Sequence, residues 1–71
     1  MFNVGDIVEC IDNGGYGYLE YGRQFEITRI YKRNGKNFVD VRKIGDRREK
    51  GGYFLTRFKL ANRKQSNNNL Y

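Results

Sequence analysis

Apolar positions in this chain come in short runs that alternate with polar ones, and glycine-bearing segments separate the runs. Ile7-Val8-Glu9-Cys10-Ile11 is rich in β-branched residues and too short for a helix, so it reads as a strand. Either Val8 and Cys10 or Ile7 and Ile11 can form its inner face. Val4 shares the parity of the first pair and favours Val8 and Cys10. Before it, Met1 to Asp6 is a lead-in with a turn at Gly5-Asp6. After it, Asp12 to Gly22 is a loop punctuated by glycines, with Tyr16, Tyr18 and Tyr21 among them and Leu19 as an inward plug. Extended character resumes from Gln24 to Tyr31. Phe25 and Ile27 share a face there, but Ile30 is out of phase, which predicts a bulge near Thr28-Arg29.

Lys32-Arg33-Asn34-Gly35-Lys36 is the clearest hairpin signal, because Asn-Gly suits a type I′ turn whose twist matches antiparallel strands. Asn37 to Lys43 is the returning strand, with Val39 and Val41 inward and Asp40 and Arg42 outward. Gly45 to Gly52 reads as a charged turn, Tyr53-Phe54-Leu55 as a short strand, Thr56-Arg57-Phe58 as a tight 3₁₀-like turn, and Lys59-Leu60 as a last short strand. Residues 61–71 are too polar to bury anything and are expected to be a disordered basic and polar tail. Strands this short, joined by glycine turns with no helix between them, predict an all-β fold. The expected architecture is a small five-stranded SH3-like barrel over residues 1–60, since curling covers one wet face and the open edges that a flat sheet would leave.

With 71 residues the chain makes one domain near the lower size limit for a self-sufficient core, and its 15% aromatic content compensates for 38% hydrophobic residues. Charge is divided in two. Residues 1–27 carry one base (Arg23) and five acids, a net of −4, whereas residues 28–71 carry thirteen bases and three acids, a net of +10. A basic half attracts a polyanion, and nucleic acid is the commonest one. The lone Cys10 cannot form an internal disulfide, which points to a reducing compartment. The chain holds neither an apolar run long enough for a membrane span nor a charged-then-apolar leader, so a cytoplasmic protein is the expectation. Histidine is absent, which removes the usual general base and the commonest metal ligand. Scattered acids, one cysteine and glycines that do not open a helix suggest no metal, no cofactor and no catalytic site.

The opening Phe2-Asn3-Val4-Gly5-Asp6-Ile7-Val8-Glu9-Cys10-Ile11-Asp12 resembles that of short phage-encoded proteins with an SH3-like barrel. The rest of that pattern follows in Gly22, Phe25-Glu26-Ile27, Gly52-Tyr53-Phe54 and Arg57-Phe58, so the likeness covers about residues 1–60. It implies the fold and a setting in the infected bacterium's cytoplasm, and no particular activity. The segment Gly5 to Gly17 is also loosely similar to KOW modules, the SH3-like units of transcription and translation factors. Tyr18-Leu19-Glu20-Tyr21 departs from the small and basic residues of that pattern, so KOW-type binding is not carried over.

Two groups of residues are candidates for binding. Arg29, Lys32, Arg33 and Lys36 bracket the hairpin turn, and Arg42, Lys43, Arg47, Arg48 and Lys50 follow on the next strand and turn. In an antiparallel meander these form one basic face suited to phosphates. Tyr16, Tyr18 and Tyr21 in the loop, with Tyr31 and Tyr53 nearby, can stack on bases, anchor a protein interface, or simply cap the barrel's open ends. Arg57-Phe58 reads as structural, with Arg57 bonding carbonyls at a chain end or pairing with Asp6. The expected function is non-enzymatic binding of nucleic acid or a nucleoprotein assembly through the basic face, by a monomer or weak dimer. The alternative is a modulator of a host polymerase, nuclease or defence factor that works through the tyrosine loop.

Overall fold

The computed structural model describes residues 2–62. Its five strands are β1 (Ile7–Cys10), β2 (Gln24–Arg33), β3 (Lys36–Lys43), β4 (Glu49–Phe54) and β5 (Phe58–Asn62). All pairings are antiparallel, and the sheet order is β4-β3-β2-β1-β5. A single 3₁₀ turn, Leu55–Arg57, joins the two edge strands. Three residues at about 2 Å rise each span only about 6 Å. The sheet must therefore curl until the end of β4 approaches the start of β5, which makes a half-closed barrel.

Local chemistry explains the two long strands. Asn34 and Gly35 both take positive φ, 53° and 77°, as a type I′ hairpin demands, and the flanking Arg33 and Lys36 pair across the turn. The ladder slips between Ile27 and Arg29, which places the bulge at Thr28. The Thr28 hydroxyl donates to Glu49 Oε1 at 2.8 Å, tying the bulge to β4. Strict alternation from Phe25 and Ile27 would turn Arg29, Tyr31 and Arg33 into the core. The bulge reverses that parity, so Ile30 packs on the core and the other three face outward.

Val8, Cys10, Leu19, Phe25, Ile27, Val39, Val41, Tyr53 and Phe58 form the core. Phe25 packs edge-on to Phe58, with ring centroids 6.1 Å apart, and Leu19 fills the space beneath the loop. Phe25 is the largest of the fully buried side chains.

Four expectations are corrected. Val4 is exposed: Asn3 to Asp6 is a closed turn, with Asp6 N–H donating to the Asn3 carbonyl, so the parity of β1 does not reach back to it. Its neighbour Asp6 is the buried residue instead, accepting the Asn3 N–H at 2.8 Å. The charged turn is shorter than Gly45 to Gly52, because β4 already begins at Glu49. There Gly51 and Gly52 together face Asp40; a Cβ on Gly51 would collide with the Asp40 carboxylate, and Gly52 takes φ 82°. The 3₁₀ turn starts one residue early, and β5 runs to Asn62, so Ala61 and Asn62 belong to the sheet. The tail expectation for residues 63–71, including Arg63 and Lys64, lies outside the described residues.

Candidate functional site

On the outer face of β2, β3 and β4, three rings sit side by side across adjacent strands. Tyr31 pairs with Phe38, and Phe38 with Phe54. Their centroids are 6.0 and 5.0 Å apart, and the ring planes differ by only 17° and 30°. Directly opposed residues on one face of an antiparallel pair are near neighbours, which is why the rings meet. The bulge at Thr28 brings Tyr31 to this face, and the parity of Asp40 and Arg42 brings Phe38.

Cations border the row on both sides, Arg33 and Lys36 toward the hairpin turn and Arg29 toward the bulge. The Arg29 guanidinium lies 4.5 Å from the Tyr31 centroid, and that of Arg33 lies 5.5 Å from Tyr31 and 5.9 Å from Phe38. The Lys36 ammonium is 5.7 Å from Phe54. Each contact contributes roughly 0.5–1 kcal/mol at exposed sites while leaving donors for another partner.

Asp40 anchors the middle of the surface. It accepts from the Tyr31 hydroxyl at 2.9 Å and the Gly52 N–H at 3.3 Å, and it pairs with Arg29 at 3.8 Å. Desolvation, then the bond to Asp40 and its charge, raise the Tyr31 phenol above its ordinary value. The hydroxyl therefore stays a neutral donor. Further down the strands Arg42 donates from both Nε and a terminal nitrogen to Glu26 Oε1, so positive charge gives way to matched pairs.

The row ends at a cleft of about 400 Å³ between the hairpin tip and the 3₁₀ turn, lined by Gly35, Lys36, Asn37, Phe54, Leu55 and Thr56. Phe54 is 37% exposed and forms one wall.

Of the basic residues expected on one face, the structure gathers Arg29 and Arg33 around Tyr31 and sets Lys36 against Phe54 at the other end of the row. Lys32 shares the opposite side of its strand with Ile30, and Arg42 is occupied by Glu26. Lys36 and Lys43 end the same strand, seven residues apart, or about 23 Å at ~3.3 Å per residue. Lys43 instead lies 5.0 Å from the Tyr18 ring, with Lys50 at 6.0 Å. Arg47 and Arg48 are exposed in the β3–β4 turn, and Arg48 pairs with Asp46 at 3.3 Å. The basic residues thus form two clusters at opposite ends of the hairpin.

The tyrosines separate in the same way. Tyr53 is buried in the core, packed edge-on to Tyr16 with centroids 5.1 Å apart, so no base can stack on it. Tyr18 bridges the loop to the sheet: its hydroxyl accepts the Lys43 N–H at 3.1 Å and donates to the Arg48 carbonyl at 3.4 Å. Tyr16 stays half-exposed beside the Arg57 guanidinium, and Tyr21 is 73% exposed. Arg57 pairs with Asp12 at 3.2 Å, not with Asp6. Ile11 and Asp12 both donate backbone bonds to its carbonyl, which brings Asp12 within reach. Phe38 and Phe54 were not among the expected site residues. Their signal was present in Phe38, which shares the outward parity assigned to Asp40 and Arg42.

Among the described residues no cluster suited to a metal ion occurs, and no helix is long and apolar enough to cross a membrane. The chain matches no protein-family model, no curated protein and no solved structure.

Proposed function

We propose that this protein is a non-enzymatic nucleic-acid-binding module whose working surface is the outer face of β2, β3 and β4. The observation that supports this best is the Tyr31–Phe38–Phe54 row bordered by Arg29, Arg33 and Lys36. Rings offer π faces to bases, and the cations displace counterions from phosphates. A setting in a phage-infected bacterium's cytoplasm rests on the sequence resemblance and on the free, buried thiol of Cys10.

The test is the salt dependence of binding to natural nucleic acid by filter retention. Three phosphate contacts give a slope of log K against log salt of about −2 to −3. Arg33→Glu combined with Lys36→Glu should reduce affinity at least a hundred-fold, with the fold retained and only a modest fall in melting temperature from the lost ring contacts. Wild-type retention by that double variant would sink the proposal.

The second reading, a host-enzyme modulator acting through the loop, is favoured by one feature, the exposure of Tyr21. Tyr18, the ring at the centre of that loop, is already occupied by the sheet. Capture of a host protein that survives nuclease treatment, and is released by Tyr21→Ala, would move the assignment to the loop.

A further inference from the structure

We infer that the cleft beside Phe54 holds an unpaired nucleobase, so that the protein selects single-stranded over duplex nucleic acid; this rests on the nucleic-acid reading above and locates its specificity. The cleft's volume of about 400 Å³ falls within the roughly 300–1,000 Å³ of small-ligand sites. Its chemistry is that of a base pocket. Phe54 supplies a partly exposed ring to stack against at the end of the aromatic row, bordered by Phe38 and by the Arg57 guanidinium, which lies 5.8 Å from its centroid. Asn37 and Thr56, both exposed, also line the cleft, and an amide and a hydroxyl are the donor–acceptor chemistry a base edge needs. Lys36 lies at the same cleft, its ammonium 5.7 Å from the Phe54 centroid, in position for the phosphate next to that base.

Duplex bases have both faces covered and their pairing edges occupied. Entry would require flipping one out, at a few kcal/mol. An unpaired base enters without that penalty. From the cleft the strand would follow the row toward Phe38 and Tyr31, where Arg33 and Arg29 meet successive phosphates. It would not continue toward Arg42 and Glu26, where the positive charge is already matched. An acidic peptide would satisfy the cations yet leave the Phe54 ring and the cleft unfilled.

Fluorescence anisotropy tests this with three labelled probes: a short mixed-sequence DNA strand, its RNA counterpart, and the DNA strand annealed to its complement. The single strands should bind about ten-fold or more tightly than the duplex. Phe54→Ala should weaken single-strand binding by about ten-fold or more, the effect of losing one stacked base, and leave duplex binding near wild type. Phe54→Leu keeps apolar bulk against Phe38 and should show the same loss, so a destabilised alanine variant does not blur the result. Equal affinity for duplex and single strand, or wild-type affinity in Phe54→Leu, overturns the base pocket and leaves the nucleic-acid reading standing. No binding of any probe by the wild type overturns both.

Discussion

Two regions of this small barrel are rich in aromatic rings and cations, and only one of them leaves both available. In the loop from Asp12 to Gly22, Tyr18 spends its hydroxyl on Lys43 and Arg48, and Tyr16 packs its ring on Tyr53. Arg57 lies against Gly14, so closely that a Cβ there would collide with its guanidinium. On the sheet face the rings stack on one another, and of their cations Arg29 pairs with Asp40 whereas Arg33 and Lys36 form no ion pair among the described residues. The same residue types therefore hold the fold together in one place and offer a surface in the other. What separates them is whether the protein itself already satisfies each polar group and covers each ring.

Mutations can break this contrast. The largest expected effect is on affinity. Arg33→Glu with Lys36→Glu removes two exposed charges that form no ion pair among the described residues, so binding should collapse while stability falls only by their ring contacts. Tyr18→Phe should do the reverse. It strands the Lys43 N–H and the Arg48 carbonyl, at about 1–3 kcal/mol of unfolding free energy by urea titration, with nucleic-acid affinity unchanged. If affinity fell with stability intact, the loop would be part of the site.

Arg57→Ala comes next, at about 1–2 kcal/mol. It loses the ion pair to Asp12 and the contacts with Tyr16 and Phe54, but it also removes a buried Nε that lacks a partner among the described residues, which holds the loss down. A lowered melting temperature is the expected reading, with any loss of single-strand affinity smaller than that of Phe54→Leu, because Arg57 also borders the Phe54 ring.

Tyr31→Phe should have the smallest effect, and one confined to high pH. The folded phenol is held above its ordinary value of 10.0, so its contribution to stability is complete below that value. It is lost as pH rises through the raised folded value, when a phenolate would face Asp40. Wild type should therefore lose stability upward from pH 10.0 more steeply than the phenylalanine variant. Parallel curves in thermal scans would contradict the Tyr31–Asp40 pairing.

Much of the fold was legible because its signals are local. Asn34-Gly35 announces its own turn, and the mismatch of Ile30 with Phe25 and Ile27 announces the bulge. Val39 and Val41 show their strand's inner face by simple alternation. The errors came where tertiary placement outweighs local pattern. Val4 has the right parity for the core, but a turn intervenes. Tyr53 looks like a surface ring until β4 is seen to begin at Glu49, which puts Tyr53 opposite the inward Val39. The partner of Arg57 lies 45 residues away, and no spacing rule reaches that far. At the site, charge gave the hairpin cluster but not its separation from Lys43 and Arg48, which needs the strand's length. Phe38 and Phe54 were missed because each, read alone, is an ordinary core hydrophobe.

The bulge at Thr28 divides β2 into two independent tenants of one strand. Below it, alternate residues answer to the core; above it, the alternation is inverted, and the outward set can vary without disturbing the packing of Phe25 and Ile27. A one-residue deletion there would turn the hairpin inside out, presenting Ile30 to water and Tyr31 to the barrel. The aromatic surface is thus inherited as a phase, set by a single inserted position, as much as by the side chains it displays.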